Sequence, residues 1–325
     1  MATYKGINGY AVQTVASDPS PGDPGQVFYN TTSKAFEYTT EVQGAWATGG
    51  NLSSARSLLA GAGTQTAGLA FGGYPATPPA TSAATEEYDG TSWSGGGNLG
   101  TARQHLAGAG TQTSGLAIGG NPNLTNTEEY NGTSWTSGGA LTTGRGGGLG
   151  GAGTQTSALA FGGNTPPGNQ TEEYNGTSWT AGGNLGTGRP ALAGAGTQTT
   201  ALGFGGDGAL TATEEYDGTS WTAGGSLNTG RGQLAGAGLQ TSGIAFGGAI
   251  APTAASAATE LYNGTSWTNG GSMITARMYF YGCGTQTSAL GFGGSTSYPS
   301  GQPALAATEE FTDGPVNVNK TISFS

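Results

Sequence analysis

The chain is poor in the residues that most often carry chemistry. In 325 residues it has one cysteine, Cys283, one histidine, His105, and three lysines, Lys5, Lys34 and Lys320. A single cysteine excludes an internal disulfide and a cysteine-based metal site, so stability must come from packing and sheet hydrogen bonds. Charged residues make up 9% and the net charge is −10. Neutralising phosphates requires a basic footprint, and its absence argues against nucleic acid as a partner. The same shortage argues against polybasic attachment to a membrane. No apolar run approaches the ~20 residues of a membrane-spanning helix. The opening residues, as far as Gln26, carry no apolar stretch of the secretory kind.

What the chain has is glycine, 66 residues of it, mixed with Thr, Ser, Tyr, Trp and Phe. Each interior Gly costs a helix about 1 kcal/mol relative to Ala, so this composition excludes a helical protein. There is no Gly-x-y period, which excludes collagen. Many short strands joined by tight turns remain.

Those strands repeat. Six tryptophans, Trp46, Trp93, Trp135, Trp179, Trp221 and Trp267, stand 47, 42, 44, 42 and 46 residues apart. An arginine follows each by ten residues: Arg56, Arg103, Arg145, Arg189, Arg231 and Arg277. After each Arg come two segments of small and apolar residues, the second ending in Gly-Gly. A variable loop follows, then Thr-Glu-Glu-Tyr, which becomes Thr-Glu-Leu-Tyr with Leu261 in the fifth unit and Thr-Glu-Glu-Phe in the sixth; in the first five units Asn-Gly-Thr or Asp-Gly-Thr and then Ser-Trp come next. The Asn-Gly and Asp-Gly steps predict a hairpin with a type I′ turn. Each unit therefore predicts four strands.

A period of 40–50 residues points to a propeller. Arg before the first strand, Gly-Gly closing the second, Tyr in the third and Trp in the fourth resemble the kelch repeat, six times over between residues 44 and 314. The resemblance implies an all-β, six-bladed β-propeller of four-stranded antiparallel blades. The last unit, Thr308 to Pro315, lacks a Trp, while Trp46 lacks a half-blade before it. The strand around Trp46 is thus expected to pair beside Glu309–Thr312 and close the ring, removing an open edge. Counting residues 35–46 as a separate unit gives a seven-bladed alternative.

Outside the ring, residues 1–43 read as an N-terminal arm with a hairpin carrying Tyr29 and Phe36. Residues 315–325 read as an alternating strand with Val316, Val318, Ile322 and Phe324. Both are candidates for assembly, the tail pairing either with the hairpin or with another subunit in a homo-oligomer. The phrase from Pro21 to Trp46 is similar to segments of virion structural proteins of tailed bacteriophages, fibres and appendages in particular. That resemblance implies a virion location and other virion proteins as partners.

An arginine ring could bind anions, but an unpaired buried Arg is costly, and sixfold recurrence with a Glu per unit points to scaffold ion pairs. One His cannot assemble the copper site that the resemblance to kelch-like oxidases would imply, so no cofactor or metal is expected. Sialidase-like chemistry would need a cluster of unshared arginines. A glycosidase carboxylate pair stays open, with no Glu standing out for it. Function is sought where the units differ. The loops between Gly-Gly and Thr-Glu, at residues 74–84, 121–126, 164–170, 207–212, 249–258 and 295–307, vary most and should emerge on one face. The sixth unit also replaces small residues by Met278, Tyr279, Phe280 and Tyr281, either for contact or to fill space at the closure. Tyr74, His105, Met278, Tyr279, Tyr281 and Tyr298 are the candidate binding residues. The expected function is non-enzymatic: attachment to a host-surface glycan or receptor from the particle. Alternatives are a capsid decoration protein that binds only other virion proteins, and a carbohydrate-active enzyme.

Overall fold

The computed structural model describes residues 13–16, 27–76, 81–251, 254–297 and 303–322; those residues contain strands and no helix. Five sheets have four antiparallel strands each. The first comprises Ala60–Thr64, Ala67–Phe71, Thr85–Tyr88 and Trp93–Gly95. The second to fifth repeat this plan, starting at Ala107, Gly150, Ala193 and Ala235. The sixth has Tyr281–Gly284, Ser288–Phe292 and Thr308–Thr321, then Ala35–Thr48, Val27–Asn30 and Gln13–Val15. Trp46 lies opposite Phe311 in this sheet, the pairing expected from the missing Trp. The tail pairs with the N-terminal hairpin: Glu37 opposite Thr321 through Gln43 opposite Pro315.

The first strand of each sheet packs against the first strand of the next, and that of the sixth against that of the first. Apolar clusters fill the wedges between neighbouring sheets, one wedge joining Leu52, Tyr88 and Trp93 to Leu290 and Phe292. Three polar contacts recur at the seams. Each Trp Nε1–H donates to a Thr Oγ1 of the preceding sheet at 2.9–3.0 Å, Trp46 to Thr259 among them. The Gln of each Thr-Gln-Thr or Leu-Gln-Thr turn donates to two carbonyls of the preceding sheet, Gln65 to Ala289 and Phe311. Each Tyr hydroxyl donates to the second Glu of the preceding sheet, as Tyr88 does to Glu310 at 2.6 Å.

One seam departs from this, and the departure is reciprocal. The fifth sheet carries Leu261 where the others have Glu, and the sixth carries Phe311 where the others have Tyr. Both are buried in one cluster with Trp46, Phe246, Met273 and Phe280. Without the hydroxyl, a half-buried carboxylate there would face a phenyl ring with no partner, which costs about 1–3 kcal/mol.

The repeated hairpins are present, but the turn differs from the type I′ expectation. Only the Gly takes positive φ, as at Gly90 (+90°). The Asp or Asn side chain instead accepts two backbone N–H groups, Asp89 Oδ1 those of Thr91 and Ser92. A four-residue loop results, with Tyr88 opposite Trp93.

The expected boundaries near residues 43/44 and 314/315 fall inside two long strands, at a break in register between Gln43 and Ala45. Gly44 sits in this bulge at φ +76°, where a Cβ would stand 2.1 Å from the Phe311 ring. Beyond the bulge the strands run on as a ribbon of seven pairs, about 23 Å at ~3.3 Å per residue.

Candidate functional site

The arginines are not available to a ligand. Each is buried and paired with the first Glu of its own unit: Arg56 with Glu86 (2.8 Å), Arg103 with Glu128, Arg145 with Glu172 (2.6 Å), Arg189 with Glu214 (3.0 Å), Arg231 with Glu260 (2.8 Å) and Arg277 with Glu309. The second oxygen of each Glu accepts a backbone N–H just ahead of the Arg, as Glu86 Oε2 does from Ser53 at 2.6 Å. The pair thus ties the entry of a unit to its third strand. The scaffold reading of the repeated phrase describes it.

Two residues after each Arg the chain turns through left-handed backbone: Leu58, His105, Gly147, Ala191, Gln233 and Tyr279, with φ between +52° and +66°. Five of these are not Gly, and each costs about 1 kcal/mol or more. The conformation lets each residue bond to its counterpart in the preceding unit. Leu58 N–H donates to Tyr279 C=O (2.7 Å), His105 to Leu58 (2.9 Å), Ala191 to Gly147 (3.0 Å) and to the adjacent Gly148 (2.8 Å), Gln233 to Ala191 (2.9 Å) and Tyr279 to Gln233 (3.1 Å). The remaining link, at the third unit with its extra Gly, runs through a side chain. Gly147 N–H donates to Asn121 Oδ1 (3.0 Å), and Asn121 Nδ2 faces His105 Nδ1 at 3.1 Å.

This collar rims a shaft lined by Leu58, His105, Ala191, Gln233, Tyr279 and the inner ends of the first strands, with about 60 Å³ open to water-sized molecules. Below the rim, Tyr281 reaches past the first sheet to the second, donating to Gly108 C=O (2.9 Å) and accepting from its N–H (3.1 Å). Burial pushes the Tyr281 hydroxyl up to about 12 and the Cys283 thiol beside it likewise to about 12, so neither is a nucleophile near neutral pH. Burial pulls His105 down to about 4. Partial burial raises Asp207, an effect its bond from Gln233 Nε2 (3.0 Å) opposes.

The variable loops surround this mouth. The first residues of five of them bond to the residue after the Arg of their own unit: Asn121 to Gln104, Asn164 to Gly146, Asp207 to Pro190, Ala249 to Gly232 and Ser295 to Met278. Tyr74 pairs with Ser57 in the same place. The long ribbon leaves from the other end. Its strand starts at Thr308 beside the loops, runs down the sheet and passes the opposite turn, where Asp313 N–H donates to Thr287 C=O (2.9 Å).

Of the candidate binding residues, His105, Tyr279 and Tyr281 converge on the shaft. Tyr74 packs half-buried against the cluster of Leu58, Met278 and Tyr279. Met278 has no exposed surface, so the contact role expected for it is corrected: it fills space beneath the loops. Tyr298 and Phe324 lie outside the described residues. On the ribbon, Tyr29 meets the exposed Phe36 edge-on at 5.1 Å, and Ile322 N–H donates to Phe36 C=O at 2.8 Å. Val316 and Val318 stand opposite Val42 and Thr40. Composition held no signal for the collar. The Gln residues of the seams were visible as repeats, but nothing in their type foretold a clamp. Among the described residues no cluster of His, Cys, Asp and Glu could hold a metal ion.

No protein-family model matches the chain, and no curated protein matches it. Solved structures do resemble it. One, "Structure of YjhT", a propeller-type protein, aligns over 79% of this chain and 95% of its own with a TM-score of 0.64 and 14% identity. The chain has a β-propeller-like fold. At that identity the likeness shows the fold alone.

Proposed function

We propose that the chain is a closed six-bladed kelch-like propeller acting as a non-enzymatic virion protein of a tailed bacteriophage. Its loop end attaches to a host-surface glycan or receptor, and residues 1–43 and 315–325 anchor the propeller of residues 44–314 to other virion proteins. The observation that carries this reading is the two-ended layout: unlike loops around a shaft at one end, both terminal strands at the other. A binding role is further supported by the acidic residues. Every third-strand Glu is held by an Arg or faces a Tyr hydroxyl, leaving Asp207, which accepts from Gln233 Nε2 beside the mouth, as the carboxylate of the variable loops among the described residues. A general acid and base need two.

The exposed Val27 and Phe36 on the ribbon favour contact with protein there, and would serve a decoration protein equally. The test is location and competition. Antibodies raised to the loop of residues 164–170 should label intact particles, and purified protein should block adsorption to host cells. Labelled particles whose adsorption is unaffected would instead indicate decoration. Release of free sugar from host polysaccharide over many turnovers would establish the enzyme alternative.

A further inference from the structure

We propose that the shaft inside the collar binds one neutral, hydroxyl-bearing ring, a single sugar unit at the end of a glycan, and discriminates against acidic sugars. This rests on the glycan-attachment reading and narrows its ligand. A cavity of about 60 Å³ open to water-sized molecules has room for a small cluster of waters. That is the displacement of one ring with its hydroxyls and excludes an oligosaccharide lying inside.

The rim supplies both kinds of hydrogen-bonding group, and their polarity can be assigned. A backbone N–H only donates, so the Asn121 atom facing Gly147 must be oxygen. The other end of that amide is therefore NH₂, and it donates to His105 Nδ1. The imidazole is neutral with its proton on Nε2, a fixed donor at the shaft, in accord with its burial. Across the rim, Gln233 spends its Nε2 on Asp207 and keeps its carbonyl oxygen as an acceptor. Ala191, Gly148 and the first-strand glycines bring backbone to the wall, and the rest of it is apolar, with Leu59, Leu106, Leu234 and the aromatic Tyr279 and Phe280. Only polar groups at the mouth then fix orientation.

Charge sets the selectivity. All six arginines are neutralised by glutamates inside the sheets. Lys34 and Lys320 stand on the ribbon at the opposite end, and Lys5 lies outside the described residues. Among the described residues no free cation faces the loops, while Asp207 and a net charge of −10 oppose an anion. A carboxylate-bearing sugar would enter without a partner for its charge.

The test is saturation-transfer NMR and calorimetry on the full chain with the methyl glycosides of glucose, galactose and N-acetylglucosamine, and with methyl glucuronide as the anionic counterpart. Saturable binding of at least one neutral glycoside is expected, with its acidic counterpart at least tenfold weaker. Gln233→Leu and His105→Asn should each weaken that binding about tenfold while leaving the melting curve cooperative. If one variant fails to fold, shifts of the His105 ring resonances during titration of the unaltered protein serve instead. Silence of all four probes overturns the proposal, and so does glucuronide binding as tightly as the glucoside. Blocked adsorption with no monosaccharide binding would remove this inference and leave the attachment reading standing. Sugar binding by a protein that does not affect adsorption would do the reverse.

Discussion

At the scale of single residues, the molecule places its charges where they cannot act alone. Arg145 donates to Glu172 and to the carbonyls of Ala160 and Gln170. Arg145→Met should cost about 3–5 kcal/mol in urea unfolding, because it strands a buried carboxylate. Replacing Glu172 as well should not restore stability fully, since the N–H groups of Thr142 and Thr143 lose their acceptor. His105 makes a prediction in pH. It is neutral in the fold down to about 4, whereas the unfolded chain takes up a proton from the ordinary value of 6.5. Stability is therefore unaffected above 6.5 and falls progressively between 6.5 and 4 as the unfolded state gains that proton. Discounted for partial exposure, the loss is about 2 kcal/mol. His105→Asn, which tolerates left-handed backbone, should remove this component when melting curves of the two proteins are compared across that range.

At the scale of the element, the unit of construction is the seam. Leu261 and Phe311 give it a clean test. Leu261→Glu should destabilise the protein by about 1–3 kcal/mol, because a half-buried carboxylate faces a phenyl ring with no partner. Adding Phe311→Tyr should recover most of the loss by restoring the bond that five other seams make. Sequence alone exposed the odd Leu261 but not its reason, because Leu261 and Phe311 are 50 residues apart and meet only after the sheets stack. Trp46 was legible for the opposite reason. A period in Trp and Arg leaves one place empty, and one strand without a unit fills it. The Arg–Glu pairs were legible from burial cost alone. The collar was not: Leu58, His105, Ala191, Gln233 and Tyr279 share no chemistry, and left-handed backbone at such residues goes against their own preference.

At the scale of the whole molecule, stability depends on all seams together. Desolvation first, and hydrogen bonds to Glu next, raise the hydroxyls of Tyr88, Tyr130, Tyr174, Tyr216 and Tyr262 to about 12. The unfolded chain loses these protons near 10, so their stabilisation is complete below 10 and disappears as pH rises towards 12. Alkaline unfolding should therefore be cooperative, with tyrosinate absorbance and loss of the sheet signal rising together. Deleting residues 1–48 should leave the strand Thr308–Thr312 as an open edge and produce aggregates in light scattering.

The ribbon also decides how the molecule bears a pull. Its two strands both run from the same distant tip to the same sheet, side by side. If the tip is held and the loop end is tugged, tension divides between two covalent backbones travelling in parallel. The rungs between them lie crosswise to the line of force and carry almost none of it. Such a tether neither unzips nor shears, and the first thing to yield under load is the sixth sheet where it meets its neighbours.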